Sequence, residues 1–270
     1  MNSIDQPSLV THRCPIKTGA GGLISEDWCI DAFAERLAAL PDDLSEEQII
    51  RPELLLWERG PVSIYYVPFE RVNPAAKVFL VGLTPGRQQM FRASTAAAKA
   101  LREGRGIPDV LNAASMSGSF AGPMRENLIR MLDGIGVAAW LGLASTALIW
   151  TSSDAAHLGA STSALLHPVF VSGKNYSGGG PKISEEPILS AFVDQVLSAD
   201  LAFAPEALVI PLGKAVSEAV NRIARAGQID PERVLLGFPH PSGANGHRSR
   251  QYEERRSDLT DQVGRWASRD

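Results

Sequence analysis

VFLVGLTPGR, Val78 to Arg87, is the stretch whose reading decides the fold. Val78, Phe79, Leu80, Val81 and Leu83, broken only by Gly82, run straight into a Thr-Pro-Gly turn. A short continuous apolar run bounded by turn residues suits a strand buried on both faces, as in a parallel sheet. Gly82 permits close backbone approach, Pro85 removes a donor, and Gly86 can take φ > 0. In open parallel sheets ligands bind beyond the carboxyl ends of the strands, so Gly82–Arg87 lies where chemistry is expected. An ordinary strand followed by a turn accounts for the same ten residues.

Working outward, three more apolar runs read as strands: Ala147–Trp150 (ALIW), 207–213 (ALVIPLG) and 234–239 (VLLGFP). Helical patterns separate them, over 88–106, Met124–Ile135, Ile188–Phe203, Lys214–Ala226 and Ser249–Trp266, whereas 107–123 reads as loop. Strands alternating with helices imply right-handed βαβ units. The expectation is a single α/β domain over 1–270, a three-layer α/β/α sandwich around a mainly four-stranded parallel sheet. VSIYYVPF (62–69) reads as an antiparallel or edge strand ended by Pro68. Residues 1–24 read as an irregular arm. About 25–60 reads as an acidic helical extension, with Ser25 capping one helix and Ser45 with Gln48 a capping box for another. Residues 158–186 read as a long insertion whose YSGGGP is a flexible surface loop.

The 270 residues carry a net charge of −4, with 44% hydrophobic and 21% charged residues. No run of ~18 apolar residues spans a membrane, and the N-terminus lacks a secretory apolar core. Cys14 and Cys29 match no metal spacing, so no metal is expected and reduced thiols in the cytoplasm are the simplest reading. Charge is uneven. Glu26–Glu58 holds ten acidic residues against two basic, and Lys214–Arg256 holds eight basic against five acidic. A local basic patch can meet a phosphate backbone even when the whole chain is acidic.

Candidate chemistry collects at the strand ends: Thr84-Pro85-Gly86, Thr151-Ser152-Ser153-Asp154 and His240-Pro241-Ser242-Gly243. A histidine held between two prolines after a strand can donate to developing negative charge or act as acid or base. Ser242 can hold a phosphate, and Asn245, His247, Arg248 and Arg250 can line a nucleic-acid groove.

GLTPG after the first buried strand, with HPSGANGHR after the last, resembles the two signature motifs of the uracil-DNA glycosylase superfamily. SFAGPMRENLIRML resembles its segment with a base-stacking aromatic followed by a helix, and LVIPLGKAVSEAV resembles the third strand and helix of its iron–sulfur branch. The resemblance covers roughly 75–265. It implies a DNA repair enzyme, a hydrolase of base excision repair. Such an enzyme flips uracil or a related deaminated base out of DNA and hydrolyses its N-glycosidic bond as a monomer without cofactor. Gly82, Leu83, Thr84, Pro85 and Gly86 would form the loop that positions water beside the base, and Arg87 would face DNA. Phe120, expected in an open, backbone-exposed setting, would stack on the base. His240 would donate to uracil O2. Ser242 and Gly243 would hold a phosphate, and Ala244–Arg248 would enter the duplex.

The chain departs from that pattern in three ways. Thr84 stands where Asp or Asn is usual, and a hydroxyl can hold water but is no base near neutral pH; Asp154 is the alternative base. Thr151 or Ser152 occupies the region of the Asn that reads uracil. Four Cys ligands are missing, so no iron–sulfur cluster is expected. Two competing readings are a non-catalytic binder of damaged or abasic DNA and a small-molecule nucleotide or sugar hydrolase. The second leaves HPSGANGHR and Phe120 without a role.

Overall fold

Val78–Gly82 is buried along its whole length, and it is the middle strand of a parallel sheet. A computed structural model describes residues 23–71, 73–243 and 245–269; the arm over 1–22 lies outside them. In chain order the first elements are α1 (Ile30–Ala38), β1 (Leu55–Arg59), β2 (Val62–Tyr65) and β3 (Val78–Gly82). Then come α2 (Arg87–Arg102), α3 (Ile107–Gly118), α4 (Pro123–Gly134), α5 (Val137–Trp140) and α6 (Leu148–Thr151). β4 (Gly159–Ser163), β5 (Val169–Val171) and β6 (Lys174–Asn175) follow. α7 (Pro187–Ala191) runs through a π-helical turn (Phe192–Leu197) into α8 (Ser198–Phe203). β7 (Leu208–Pro211), α9 (Lys214–Arg225) and α10 (Arg248–Ala267) complete the chain.

The parallel sheet has the order β4-β3-β7. Alternation along β3 sends Phe79 and Val81 into a core with Phe192, Val196, Val216 and Val220, and Val78 and Leu80 into another with Leu128, Leu132, Leu259 and Val263. Helices α7–α9 therefore cover one face and α4 with α10 the other. Each large apolar side chain so buried is worth ~1.5–3 kcal/mol. A second sheet, β1-β2-β5-β6, is antiparallel, and a third apolar cluster joins Ile30, Phe33, Tyr66, Met90, Ala97 and Leu111 beside it.

Four expectations are corrected. ALIW is not a strand: Leu148–Thr151 is helical, and the second strand is GASTS at Gly159–Ser163, inside the stretch read as an insertion. Its first residue has to be glycine, since a Cβ there would collide with Ile149. The stretch 107–123 is largely helix α3, packed so closely on α2 that a Cβ at Gly118 would lie 2.8 Å from Ala93 Cβ. The fourth strand is reduced to one bridge, Val209 with Val234, where Leu235 N donates to Val209 O at 2.8 Å. The sheet thus has three strands, not four. At the next residue the Gln262 side chain takes the neighbour's place: Leu236 N donates to Gln262 Oε1 at 3.0 Å, and Gln262 Nε2 donates to Leu236 O at 3.2 Å.

The acidic region 25–60 is only partly helical. α1 begins after Cys29, not at Ser25, whose Oγ accepts from Asp27 N in the turn before it. Ser45 N does donate to Gln48 Oε1 at 2.9 Å, but over a single 3-10 turn, and Leu55–Arg59 is strand. Cys29 is disulfide-bonded, against the reduced-thiol expectation; Cys14 lies outside the described residues. Among the described residues no helix is long and apolar enough to cross a membrane.

Candidate active site

The carboxyl ends of β4 and β3 meet in register at Ser163 and Gly82. A Cβ on Gly82 would stand 3.3 Å from both Phe120 Cε1 and Ser163 Oγ, so the bare backbone makes room for the ring and the hydroxyl. Phe120 sits in the turn between α3 and α4 at φ +52°, a region bulky residues rarely enter. It is 5% exposed and packs with Val78, Leu80 and Leu128, so the expected open setting is wrong. One side of the ring still borders a small cavity of about 20 Å³ lined also by Pro85, Gln89 and Ser163.

Thr84 does not stand free to hold water. Its Oγ1 donates to His167 O at 3.0 Å and accepts from Val169 N at 3.0 Å, which ties the loop after β3 to the entry of β5. Gly86 keeps φ at −85° and caps α2, its N–H donating to Gln89 Oε1 at 2.9 Å. Arg87 is likewise held inward: its N–H donates to Asn175 Oδ1 and its Nη2 to Gly173 O, at 3.0 and 2.8 Å. It fastens α2 to the β5–β6 hairpin instead of presenting its charge to a ligand.

His240 hangs beyond the bridge at Val234, with Gly213 beneath it at φ +93°, where a Cβ would lie 3.0 Å from His240 Cβ. Ser242 N donates to His240 Nδ1 at 3.2 Å. With Nδ1 accepting, the neutral ring carries its proton on Nε2. Burial pushes the His240 pKa below its ordinary value, which keeps the ring neutral. The loop is braced from three sides. Asn127 Nδ2 donates to Pro241 O (3.0 Å), Asn245 Nδ2 to His240 O (3.2 Å) and Arg248 Nη1 to Ser242 O (2.8 Å).

Beside the ring opens a cleft of about 630 Å³ with an apolar floor of Leu83, Leu212 and Val216 and a rim that includes Lys182 and Lys214. Gly178 and Gly179 of YSGGGP form part of its wall. That glycine run is a boundary of the cleft, not a detached surface loop.

Over 242 residues the chain is 35% identical to "Uncharacterized protein YoxB" of Bacillus subtilis (strain 168), spanning 89% of this chain and 94% of that protein. The chain belongs to the YoxB family. No protein-family model and no solved structure matches it.

In this YoxB-family chain the remaining candidates separate. Thr151, Ser152 and Asp154 precede β4 and therefore lie at the amino end of the sheet, away from His240. Thr151 Oγ1 donates to Ala147 O within its helix, and Asp154 is exposed. Only the reading of ALIW as a strand puts them at the site, and Ser163 holds that position instead. Arg248 and Asn245 are spent within their own loop, while exposed Arg250 pairs with Glu254 at 3.6 Å. Gly243 and His247 are exposed, and Ala244 lies outside the described residues. Asn127 and Ser163 escape a sequence reading for different reasons. Asn127 is a polar residue at a buried helical position, a signal that was available. Ser163 sits in a strand with no apolar run.

Proposed function

We propose that this YoxB-family protein is a monofunctional DNA glycosylase of uracil-DNA glycosylase-like fold, acting as a monomer on uracil or a related deaminated base. The observation that carries the reading is His240: a neutral imidazole whose Nδ1 is held by the Ser242 N–H, leaving Nε2–H as a donor beside a cleft at the carboxyl edge of a parallel sheet. As the bond from C1′ to the base nitrogen breaks, its electron pair moves onto the base and collects on O2. A donor already oriented there stabilises that charge without reorganisation, typically by 10²–10³-fold in rate. Water then adds to the sugar cation and releases its proton to solvent. The base would lie in the cleft against Leu83 and Leu212, whereas Phe120 and Ser163 line a separate cavity of about 20 Å³ that is too small for a base.

A second reading, a binder of abasic or damaged DNA, is favoured by one observation. The Thr84 hydroxyl is committed to backbone, and Glu218, exposed and 3.9 Å from Lys214, is the only carboxylate among the described residues that line the cleft. No placed base then activates water. One experiment separates the two: labelled uracil-containing and abasic oligonucleotides are incubated with the protein, and base release and retention are scored independently. Release from the uracil strand supports the glycosylase. Retention of abasic DNA with no release from any damaged strand supports the binder.

A further inference from the structure

The hollow space beside His240 continues on the far side of the imidazole. Gly213, Lys214 and His240 are shared with a second hollow of about 620 Å³, walled by α9, by residues 236–240 and by the first turns of α10. That volume is in the range that takes a small organic ligand. Its chemistry is specific. Leu236, 42% exposed, supplies an apolar wall. Asn221 projects from α9 into the lining with an amide that has no hydrogen bond to any described residue. Gln251 accepts from Asn245 through Oε1 at 3.0 Å, which leaves its Nε2 donors free to face a ligand.

The charged groups here cancel. Arg255 lies 3.8 Å from Asp258, Glu254 lies 3.6 Å from Arg250, and Lys214 lies 3.9 Å from Glu218. The lining carries Lys214, Arg255 and Glu254, each already paired with an opposite charge outside it, so little net attraction is left for a phosphate. An uncharged planar heterocycle fits better, with one face against Leu236 and donors and acceptors along its edge for Asn221 and Gln251.

We propose that this hollow binds the unpaired nucleobase adjacent to the nucleotide held beside His240, an inference that rests on the DNA reading above. A neighbouring base can enter only if it is not paired, so the protein should prefer single-stranded or frayed DNA around its target.

The test is fluorescence anisotropy with the full chain and three labelled single-stranded oligonucleotides. Each carries a central tetrahydrofuran abasic mimic; two of them also lack the base of the nucleotide on one flank or the other. Removing the base on one flank should weaken binding about tenfold, the worth of one stacked base. The double variant Leu236→Ala/Asn221→Ala should bind the flank-complete strand as weakly as wild type binds the depleted one. It should bind the depleted strand with wild-type affinity, which shows that it is folded. Equal affinity of wild type for all three strands, or unchanged binding by the double variant, overturns the proposal. If wild type binds none of the strands, the DNA reading itself fails and this inference fails with it.

Discussion

Glu70→Gln should stabilise the protein, and by more as the pH rises. Glu70 is 4% exposed, accepts the Tyr66 hydroxyl at 2.8 Å through Oε1, and leaves Oε2 without a partner among the described residues. Burial outweighs the hydrogen bonds that favour the carboxylate and raises its pKa from 4.5 to about 8. The folded state therefore holds a proton that the unfolded chain gives up from about pH 4.5 upward. Stability is complete below that pH and is lost as pH rises toward 8, at ~1.4 kcal/mol per pH unit. By pH 7 the loss is on the order of 3 kcal/mol. His167, fully buried with its pKa lowered by burial to about 4, acts in the opposite sense. Its contribution is lost as pH falls from 6.5 toward 4. The two slopes offset each other between about 4.5 and 6.5, so wild type should show a plateau there and a decline above it. Gln keeps an acceptor for Tyr66 and has no proton to lose, so Glu70→Gln should remove the decline, turn the plateau into a rise up to about pH 6.5 as His167 alone titrates, and leave stability below about pH 4.5 unchanged. Urea unfolding midpoints at about pH 5, 7 and 8.5, compared at constant m-value, measure this directly. Wild-type and variant stabilities that run parallel across that range would refute the assignment.

His240→Ala should lower single-turnover uracil release by about 10²-fold or more while abasic-strand retention survives; near wild-type rates would remove the ring from the chemistry. Phe120→Ala should cost stability, about 3–5 kcal/mol for a buried aromatic, read as a fall in urea midpoint. An unmoved midpoint would restore the open-ring expectation. Thr84→Val should destabilise by about 1–3 kcal/mol through the orphaned Val169 N–H and His167 carbonyl, and Thr84→Ser should recover most of it. Asp154→Asn should leave both activity and stability within error, since its carboxylate is exposed at the opposite end of the sheet; a large activity loss would return Asp154 to the site.

Strands β3 and β7 were readable because each buries both faces in an unbroken apolar run, which no amphipathic helix needs. β4 was hidden for the converse reason. Its small residues lie against Ile149 at Gly159, and Thr162 turns its hydroxyl to Asp200 at 2.8 Å, so close packing replaces hydrophobic bulk and leaves no pattern. ALIW then took its place and carried Thr151, Ser152 and Asp154 to the wrong end of the sheet. Serine and glycine likewise disguised α3, whose smallness is what lets it lie on α2. At the site, the position of His240 was legible from one apolar run and two prolines. The commitments of Thr84, Arg87 and Arg248 were not, because each is satisfied by a backbone atom that sequence does not locate: His167 O, Gly173 O and Ser242 O.

The Gln262 amide has a mechanical consequence. Residues 234–239 carry His240, and they are held by the bridge at Val234, by the Gly213 N–H donating to Phe238 O at 3.0 Å and by the Gln262 side chain. A regular strand spreads its attachment along one neighbouring strand; here α10, through Gln262, shares the attachment with the sheet and with Gly213. The imidazole is thus registered to α10 as much as to the sheet. Any force that slides that helix along its axis moves the donor relative to the cleft, while β3, fixed on both sides, keeps the opposite wall still.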